Sequence, residues 1–238
     1  MLDLSERRIR FVSTVTHELR TPLTTLRLYA DMLSSGMVTD PKQQQDYMQT
    51  LHQEAERLHR LIANVLDYSR LERNRVSVRL VAQPVAEILA TAVTTWKVRC
   101  RQADKELVVE EPSPADLTAH TDGELVQQIL GNLIDNSCKY SQSAADRRVW
   151  VRGLAVGKGR TAIEVENRGP GIPAAAARQV FQAFERGQHV DATTPGVGLG
   201  LALAQRWARL LGGQLELLPA TEGTGVRFRL SLPSNAAG

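Results

Sequence analysis

The sequence of 238 residues has only two cysteines, no long uncharged run and no block of a single charge. Cys100 and Cys138 are too few for a disulfide framework, so we expect a reducing compartment. The longest stretch without Asp, Glu, Lys or Arg, residues 192–205, is shorter than the roughly 18 apolar residues that a membrane-spanning helix needs. The formal charge of +3 is mild, which gives no argument for nucleic acid as a partner.

The first third of the chain carries two heptad seams. Apolar or small residues recur at alternating spacings of three and four over 9–33 and again over 48–69. Gly36 follows the first seam, and Asp40 and Pro41 are favourable N-cap and first helical residues for a second helix. Two helices alone bury little surface. We therefore predict an antiparallel hairpin that associates as a homodimer into a four-helix bundle.

His17 lies on the predicted water-facing side of the first helix. Exposed histidines are usually only solvated, but Glu18 is adjacent and Thr21 lies one turn further along the same face. A neutral imidazole nitrogen is a nucleophile near neutral pH, and a neighbouring carboxylate can orient it or take its proton. A zinc site of the HExxH type is excluded because position 21 is Thr. Pro22 predicts a kink beside His17, for which a functional and a merely tolerated bend stay equally open.

Beyond residue 75 the heptads stop, and strand-like segments mix with amphipathic helices. We predict strands over 76–80, 106–110, 117–121, 148–154, 161–165, 215–218 and 226–232. We predict helices over 85–96, 122–134, 178–184 and 199–211. Because regular βαβ alternation is missing, the order favours an α/β sandwich with helices on one face of a mixed sheet.

Three features of this second part are typical of a phosphate site. The glycines of 196–200 lead directly into a helix, where free backbone N–H groups and the helix dipole favour anions. The turn over 167–171 could bring backbone close to a flat ligand. Asn132, Asn136 and Lys139 occupy helix positions i, i+4 and i+7, so one face carries two amides and a cation. An amide oxygen suits Mg²⁺, and a lysine suits phosphate.

Taken together, these features resemble the catalytic core of bacterial two-component sensor histidine kinases, within the gyrase, chaperone and MutL type of ATPase superfamily. The matching segments are the H-box at 11–23, the N-box at 132–140, the glycine boxes at 167–172, 196–202 and 223–225, and the F-box at 181–184. Six motifs in order are highly specific. The resemblance implies an α+β protein. A helical hairpin over 1–75 would form a dimeric four-helix bundle, and an α/β sandwich ATP-binding domain would span 76–238.

The resemblance also implies a role for each matching position. His17 would attack the γ-phosphate of ATP, Glu18 would be the base or orienting carboxylate, and Thr21 would orient water for dephosphorylation of a response regulator. Asn136 would hold Mg²⁺, and Arg186 would reach the γ-phosphate. The remaining candidates would contact the nucleotide: Asn132, Lys139, Tyr140, Asn167, Gly169, Gly171, Gly196, Gly198, Leu199, Gly200 and Thr224.

The implied function is ATP-dependent autophosphorylation on His17 and phosphotransfer to an aspartate of a response regulator, with regulator phosphatase activity. The implied partners are a second copy of the chain and the receiver domain of that regulator, with ATP and Mg²⁺ bound. No nucleic acid is expected, and a membrane is involved only through upstream segments. The expected location is a cytoplasmic kinase core of an inner-membrane sensor, with 190–195 in a mobile lid over the nucleotide.

Position 167 departs from the family pattern, which has Asp there to accept a hydrogen bond from the adenine amino group. Asn167 can still accept through its side-chain oxygen, but without charge assistance, so we expect ATP binding that is retained but weaker. This departure leaves open a non-catalytic or phosphatase-biased scaffold. An ATPase or chaperone of the same superfamily is a third alternative, but it gives no reason for an exposed histidine beside Glu18 on a dimeric bundle.

Overall fold

The computed structural model describes residues 2–73, 76–157, 159–173, 176–177, 179–184, 198–219 and 225–234. The chain divides into two compact units. The first is Met1–Arg75 with Phe184–Leu199, and the second is Val76–Ala183 with Gly200–Gly238. The predicted domain boundary after residue 75 stays a prediction. None of the helices in the described ranges has both the length and the apolar character that a bilayer crossing requires.

Two long helices make up most of the first unit. Helix α1 spans Leu2–Ser34 and continues through Pro22, and helix α2 spans Pro41–Glu72. The Asp40 carboxylate accepts a hydrogen bond from the backbone N–H of Lys42 at 3.2 Å. This bond satisfies an N–H group that would otherwise lack a partner in the first turn, and it confirms the predicted N-cap.

Side-chain contacts show that α1 and α2 run antiparallel. The rings of Tyr29 and Tyr47 lie 4.6 Å apart, centre to centre. Further from the turn, the Arg57 guanidinium Nη2 lies 3.7 Å from Glu18 Oε2. Residue numbers fall along α1 from Tyr29 to Glu18 while they rise along α2 from Tyr47 to Arg57. The two helices are therefore antiparallel, and the predicted hairpin is confirmed.

The hairpin leaves much of its apolar surface uncovered. Six large apolar side chains are between 46% and 61% exposed in the single chain: Val12, Leu23, Leu28, Met48, Ile62 and Leu66. Four of them, Val12, Leu23, Met48 and Ile62, belong to the predicted seams. Two helices alone therefore do not bury these seams.

The second unit is a mixed sheet with three helices. Its strands are β1 Val81–Pro84, β2 Glu106–Val109, β3 Thr118–Thr121, β4 Arg148–Ala155, β5 Arg160–Asn167, β6 Gln214–Leu217 and β7 Val226–Pro233. Its helices are α3 Val85–Gln102, α4 Gly123–Tyr140 and α5 Gly200–Leu210. The large sheet has the order β2-β4-β5-β7-β6, in which only β2 and β4 pair in parallel. Strands β1 and β3 form a separate antiparallel pair.

The two faces of the large sheet differ in chemistry because strand residues alternate between faces. On β5, Ile163 and Val165 are fully buried and share a face with Leu230 of β7. Helix α3 covers this apolar face, since a methyl group at Gly153 of β4 would lie 2.7 Å from a Val85 side-chain carbon. The opposite face carries charged pairs, for example Glu164 with Arg229 at 2.6 Å. The predicted α/β sandwich is confirmed.

Two predicted elements differ from the structure. Residues 76–80 form no strand, because the backbone N–H of Arg79 donates to the Asp122 carboxylate at 3.0 Å and pairing begins only at Val81. In place of the predicted helix over 178–184, the described residues hold one 3₁₀ turn, Gln179–Phe181. Phe184 has a φ of +69°, which a right-handed helix does not allow.

Candidate functional site

Helix α4 carries the predicted amide pair on its polar face. The helix begins where the Asp122 carboxylate accepts hydrogen bonds from the N–H groups of Glu124 and Leu125 at 3.1 and 3.3 Å. Four apolar side chains of its other face are fully buried: Ile129, Leu130, Leu133 and Ile134. Asn132 and Asn136 are only half-buried, so packing of the apolar face leaves both amides accessible.

Asn132 meets the start of α5. Its Nδ2 donates to the Gln128 carbonyl one turn earlier at 3.0 Å. A methyl group at Gly200 would lie 2.6 Å from Asn132 Oδ1, so a side chain there would displace the Asn132 amide from its present position. Leu199 before it is buried, and Gly198 has a φ of +71°. The structure thus brings Asn132 and the N-terminus of α5 together, as the two separate motifs predicted.

The turn after β5 packs backbone against backbone. Asn167 is only 3% exposed, and a methyl group at Gly169 would lie 2.9 Å from its Nδ2 and 3.2 Å from the Tyr140 carbonyl oxygen. Gly171 has a φ of +61°. A methyl group at Gly225 would overlap the Gly169 nitrogen. Gly225 lies in the third glycine box but is not among the predicted site residues; its pairing with Gly223 in that box is the signal that could have identified it.

A buried carboxylate next to Asn167 ties this turn to the sheet. Glu166 is 1% exposed, with Oε2 3.1 Å from Arg152 Nη1 and 2.9 Å from Arg227 Nε. Its Oε1 lies 3.1 Å from Arg168 Nη1, inside the glycine turn. Sequence reasoning missed this network, because the residues come from three strands and a turn.

The end of α4 is also fixed by a buried cation that sequence reasoning missed. The Lys105 ammonium donates to the Ser141 carbonyl oxygen at 2.5 Å. Burial lowers the pKa of Lys105 below its usual value of 10.5. In the last turn of α4, just before Ser141, the Lys139 ammonium lies 5.4 Å from the centre of the Tyr140 ring. Tyr140 is 38% exposed. The predicted lysine and tyrosine are therefore neighbours at the edge of the amide face.

An open cavity of about 500 Å³ lies beside the glycine turn. Its wall consists of Ser143, Ala144, Ala145, Asp146, Arg168, Gly169 and Pro170. The cavity therefore adjoins the turn that holds Asn167, on the side where the chain leaves α4.

The first unit presents the predicted phosphoacceptor residues. His17 and Thr21 are exposed on α1, as their heptad positions predicted. Glu18 is half-buried, and its Oε2 faces Arg57 of α2 at 3.7 Å. Sequence reasoning did not predict Arg57, because nothing in the local pattern of α2 indicates its partner on α1.

Some predicted positions lie outside the described residues. These are Arg186, Gly196, Thr224 and the lid segment 190–195. The roles assigned to them stay predictions.

A magnesium ion fits the donor set of the amide face. The described ranges contain no group of three or more His, Cys, Asp or Glu side chains that could hold a metal. Mg²⁺ usually takes one or two protein oxygens together with water and substrate phosphates, so a cluster of side chains is not required. The half-buried Asn136 amide, one turn beyond Asn132, supplies a suitable oxygen.

The fold and the site define the chain as a phosphoacceptor helical hairpin joined to an ATP-binding α/β domain. Residues 121–236 match the family model for the histidine kinase-, DNA gyrase B- and HSP90-like ATPases. Residues 7–74 match the model for the His Kinase A (phospho-acceptor) domain. This pair of domains, in this order, is the catalytic core of a two-component sensor histidine kinase, and the chain belongs to that family.

Individual relatives agree with this assignment. The sensor histidine kinase YclK of Bacillus subtilis is 26% identical over 235 residues, which are 98% of this chain and 48% of YclK. The chain thus spans about half the length of that relative. Among solved structures, histidine kinase ThkA in complex with the response regulator TrrA gives a TM-score of 0.71 at 20% identity, covering 99% of this chain and 67% of ThkA. ShkA in complex with AMPPNP gives 0.66 at 24% identity, covering 93% and 45%. At these identities, both structures support the fold alone.

The amide at position 167 leads to a testable expectation about nucleotide affinity. We expect Asn167→Asp to tighten ATP binding by about 1–2 kcal/mol, because a carboxylate accepts a hydrogen bond more strongly than an amide. Isothermal titration calorimetry measures the dissociation constant, and Asn64→Asp on α2 is the matched control. An unchanged constant for Asn167→Asp would show that this side chain does not determine the affinity.

Proposed function

We propose that this chain phosphorylates itself on His17 with ATP and passes the phosphoryl group to an aspartate of a response regulator. The proposal rests on one observation: the same chain holds a candidate phosphoacceptor histidine and a candidate phosphate site. An exposed His17 lies beside the Glu18 carboxylate, which Arg57 holds, on a helix pair, and the Asn132 amide of α4 lies against the glycine at the start of α5.

In this proposal the nucleotide lies along the polar face of α4. The backbone N–H groups of Gly198, Leu199 and Gly200 and the Asn132 amide would bind its phosphates. Lys139 would neutralise phosphate charge. The Tyr140 ring would pack near the ribose or the adenine.

The turn after β5 would read the base. The Asn167 side-chain oxygen would accept a hydrogen bond from the adenine amino group. Gly169, Gly171 and the predicted positions Gly196 and Thr224 would let the backbone approach the nucleotide closely. The packing of Gly225 against Gly169 supports this part of the proposal, since side chains in that turn would close the approach.

Asn136 would hold a magnesium ion through its amide oxygen. The ion, when bound, supplies positive charge at the phosphates. The chain's own residues then carry the remaining tasks of positioning and charge neutralisation, on which phosphoryl transfer chiefly depends.

The proposed reaction occurs at a ring nitrogen of neutral His17. The nitrogen lone pair forms a bond to the γ-phosphorus, the bond from that phosphorus to the β–γ bridging oxygen breaks, and ADP leaves with those electrons. The imidazole proton passes to the Glu18 carboxylate or is oriented by it. The Arg57 guanidinium keeps this carboxylate beside α2, which supports an orienting role. Arg186 would reach the γ-phosphate.

Two macromolecular partners belong to the proposal. A second copy of the chain would cover the exposed seam residues of α1 and α2 and complete a four-helix bundle. A response regulator would receive the phosphoryl group on aspartate. The complex of the structural relative ThkA with the response regulator TrrA supports this choice of partner.

Thr21 suggests a second activity of the same face. Its hydroxyl is exposed one turn from His17, where it could orient water for dephosphorylation of the regulator. Asn167 favours one alternative function, a phosphatase-biased or non-catalytic scaffold with weak ATP binding.

We propose in addition that the chain comprises a phosphotransfer domain over 1–75 and an ATP-binding domain over 76–238. We propose a location at the cytoplasmic side of an inner-membrane sensor.

The exposed seam gives a prediction about the oligomeric state. We expect the parent chain to be a dimer by light scattering at micromolar concentrations. Ile62→Glu should shift it to monomer, because the new charge would lie in the apolar contact between copies. Val98→Glu on α3 is the control, since Val98 is exposed but lies outside the seam. A monomeric parent, or an Ile62→Glu variant that stays dimeric, would contradict the bundle.

The central reaction is tested by incubation with γ-labelled ATP and Mg²⁺. We expect protein-bound label that is lost in acid and kept in base, and that disappears in His17→Ala. His52→Ala is the matched control, because His52 is an exposed histidine on α2. A parent that binds ATP without becoming labelled would favour the scaffold alternative. Steady ATP hydrolysis that does not depend on His17 would favour the ATPase alternative.

A further inference from the structure

Helix α3 runs parallel to α4 and contacts it along its length. Near the start of both helices, the Gln127 side-chain amide donates to the Ile88 carbonyl oxygen at 2.7 Å. Near their ends, the Cys138 and Cys100 thiols lie 3.6 Å apart, sulfur to sulfur. Side chains of α3 therefore contact α4 near both of its ends, on either side of the turns that carry the amides.

One contact from α3 falls on the residue before Asn132. The six-membered ring of Trp96 occupies the space where a side chain at position 131 would lie, and a methyl group at Gly131 would overlap it. Gly131 is itself fully buried within α4. The indole therefore sets how closely α4 approaches α3 at this turn.

A second contact falls on the residue before Asn136. Arg99 Nε donates to Asp135 Oδ1 at 2.6 Å, while the guanidinium carbon lies 5.9 Å from the centre of the Trp96 ring. The two side chains are 30% and 39% exposed, and ion pairs this accessible contribute little to stability. The hydrogen bond between them is short and charge-assisted, so we read the pair as orienting the two side chains more than as stabilising the fold.

The two contacts are four residues apart on α4, one helical turn. Successive helical residues are about 100° apart around the axis, so fixing the direction of positions 131 and 135 also fixes that of positions 132 and 136. Resting on the function proposed above, we propose that Arg99, supported by Trp96, is a positioning residue for nucleotide and metal binding. It acts through Asp135 on the direction of the Asn136 amide.

The test measures nucleotide affinity with and without magnesium. A non-hydrolysable ATP analogue is titrated into the parent, Arg99→Gln and the control Arg27→Gln, each in Mg²⁺ and in EDTA. Arg27 is a suitable control because it forms an exposed ion pair with Asp31 at 3.8 Å within α1, and neither residue is assigned to the nucleotide. We expect Arg99→Gln to weaken binding by about tenfold in Mg²⁺, the scale of losses at residues that orient metal ligands, and to change binding little in EDTA.

Exchanging the two charges separates positioning from simple loss of packing. Arg99→Glu alone should lose the Mg²⁺-dependent part of the affinity, and Arg99→Glu combined with Asp135→Arg should restore most of it. Equal losses in Mg²⁺ and EDTA, no loss in Arg99→Gln, or no restoration in the double variant would each overturn this inference. A parent chain that binds no nucleotide would instead overturn the proposed function.

Discussion

The two-sided packing of α4 is the constraint on which the nucleotide end of the molecule depends. Its apolar face is buried in the core of the second unit, and this burial turns the amides of Asn132 and Asn136 outward. The Asp122 carboxylate defines where the helix starts, and the Lys105 ammonium holds the carbonyl of Ser141 just beyond its end. A change in the rotation of α4 would move both amides at once. The site is therefore only as well defined as the contacts that hold this helix.

Close backbone approach is the second constraint, and glycine makes it possible. Gly200 lets the N-terminus of α5 reach Asn132, and Gly225 lets the start of β7 lie against Gly169. At Gly225 a side chain would overlap the Gly169 backbone, and at Gly200 it would displace the Asn132 amide. Together with the amides, these two approaches form a surface lined by N–H groups and oxygen donors, which suits phosphates and a hard cation. The proposed acceptor His17 would require the opposite arrangement, because it has to be exposed on a stable helix with its carboxylate neighbour held in place.

Local patterns predicted the parts of this structure that local chemistry determines. The heptad spacings gave both helices of the hairpin, and the Asp40 and Pro41 pair gave the start of α2. The i, i+4 spacing of Asn132 and Asn136 predicted the amide face of α4. Contacts between distant segments could not be predicted in this way. The Glu166 network joins arginines from β4, β7 and the glycine turn, and Arg57 meets Glu18 across the hairpin.

The amide of Asn136 decides most directly whether the nucleotide lies along the polar face of α4. The measurement is the dissociation constant of a non-hydrolysable ATP analogue in Mg²⁺ for the parent and for Asn136→Ala, with Asn64→Ala on α2 as the matched control. We expect binding that is weaker by at least about tenfold in Asn136→Ala and unchanged in the control, because a ligand of the metal at the phosphates is lost. Equal affinities of the parent and Asn136→Ala would contradict the claim that the nucleotide lies along the polar face of α4.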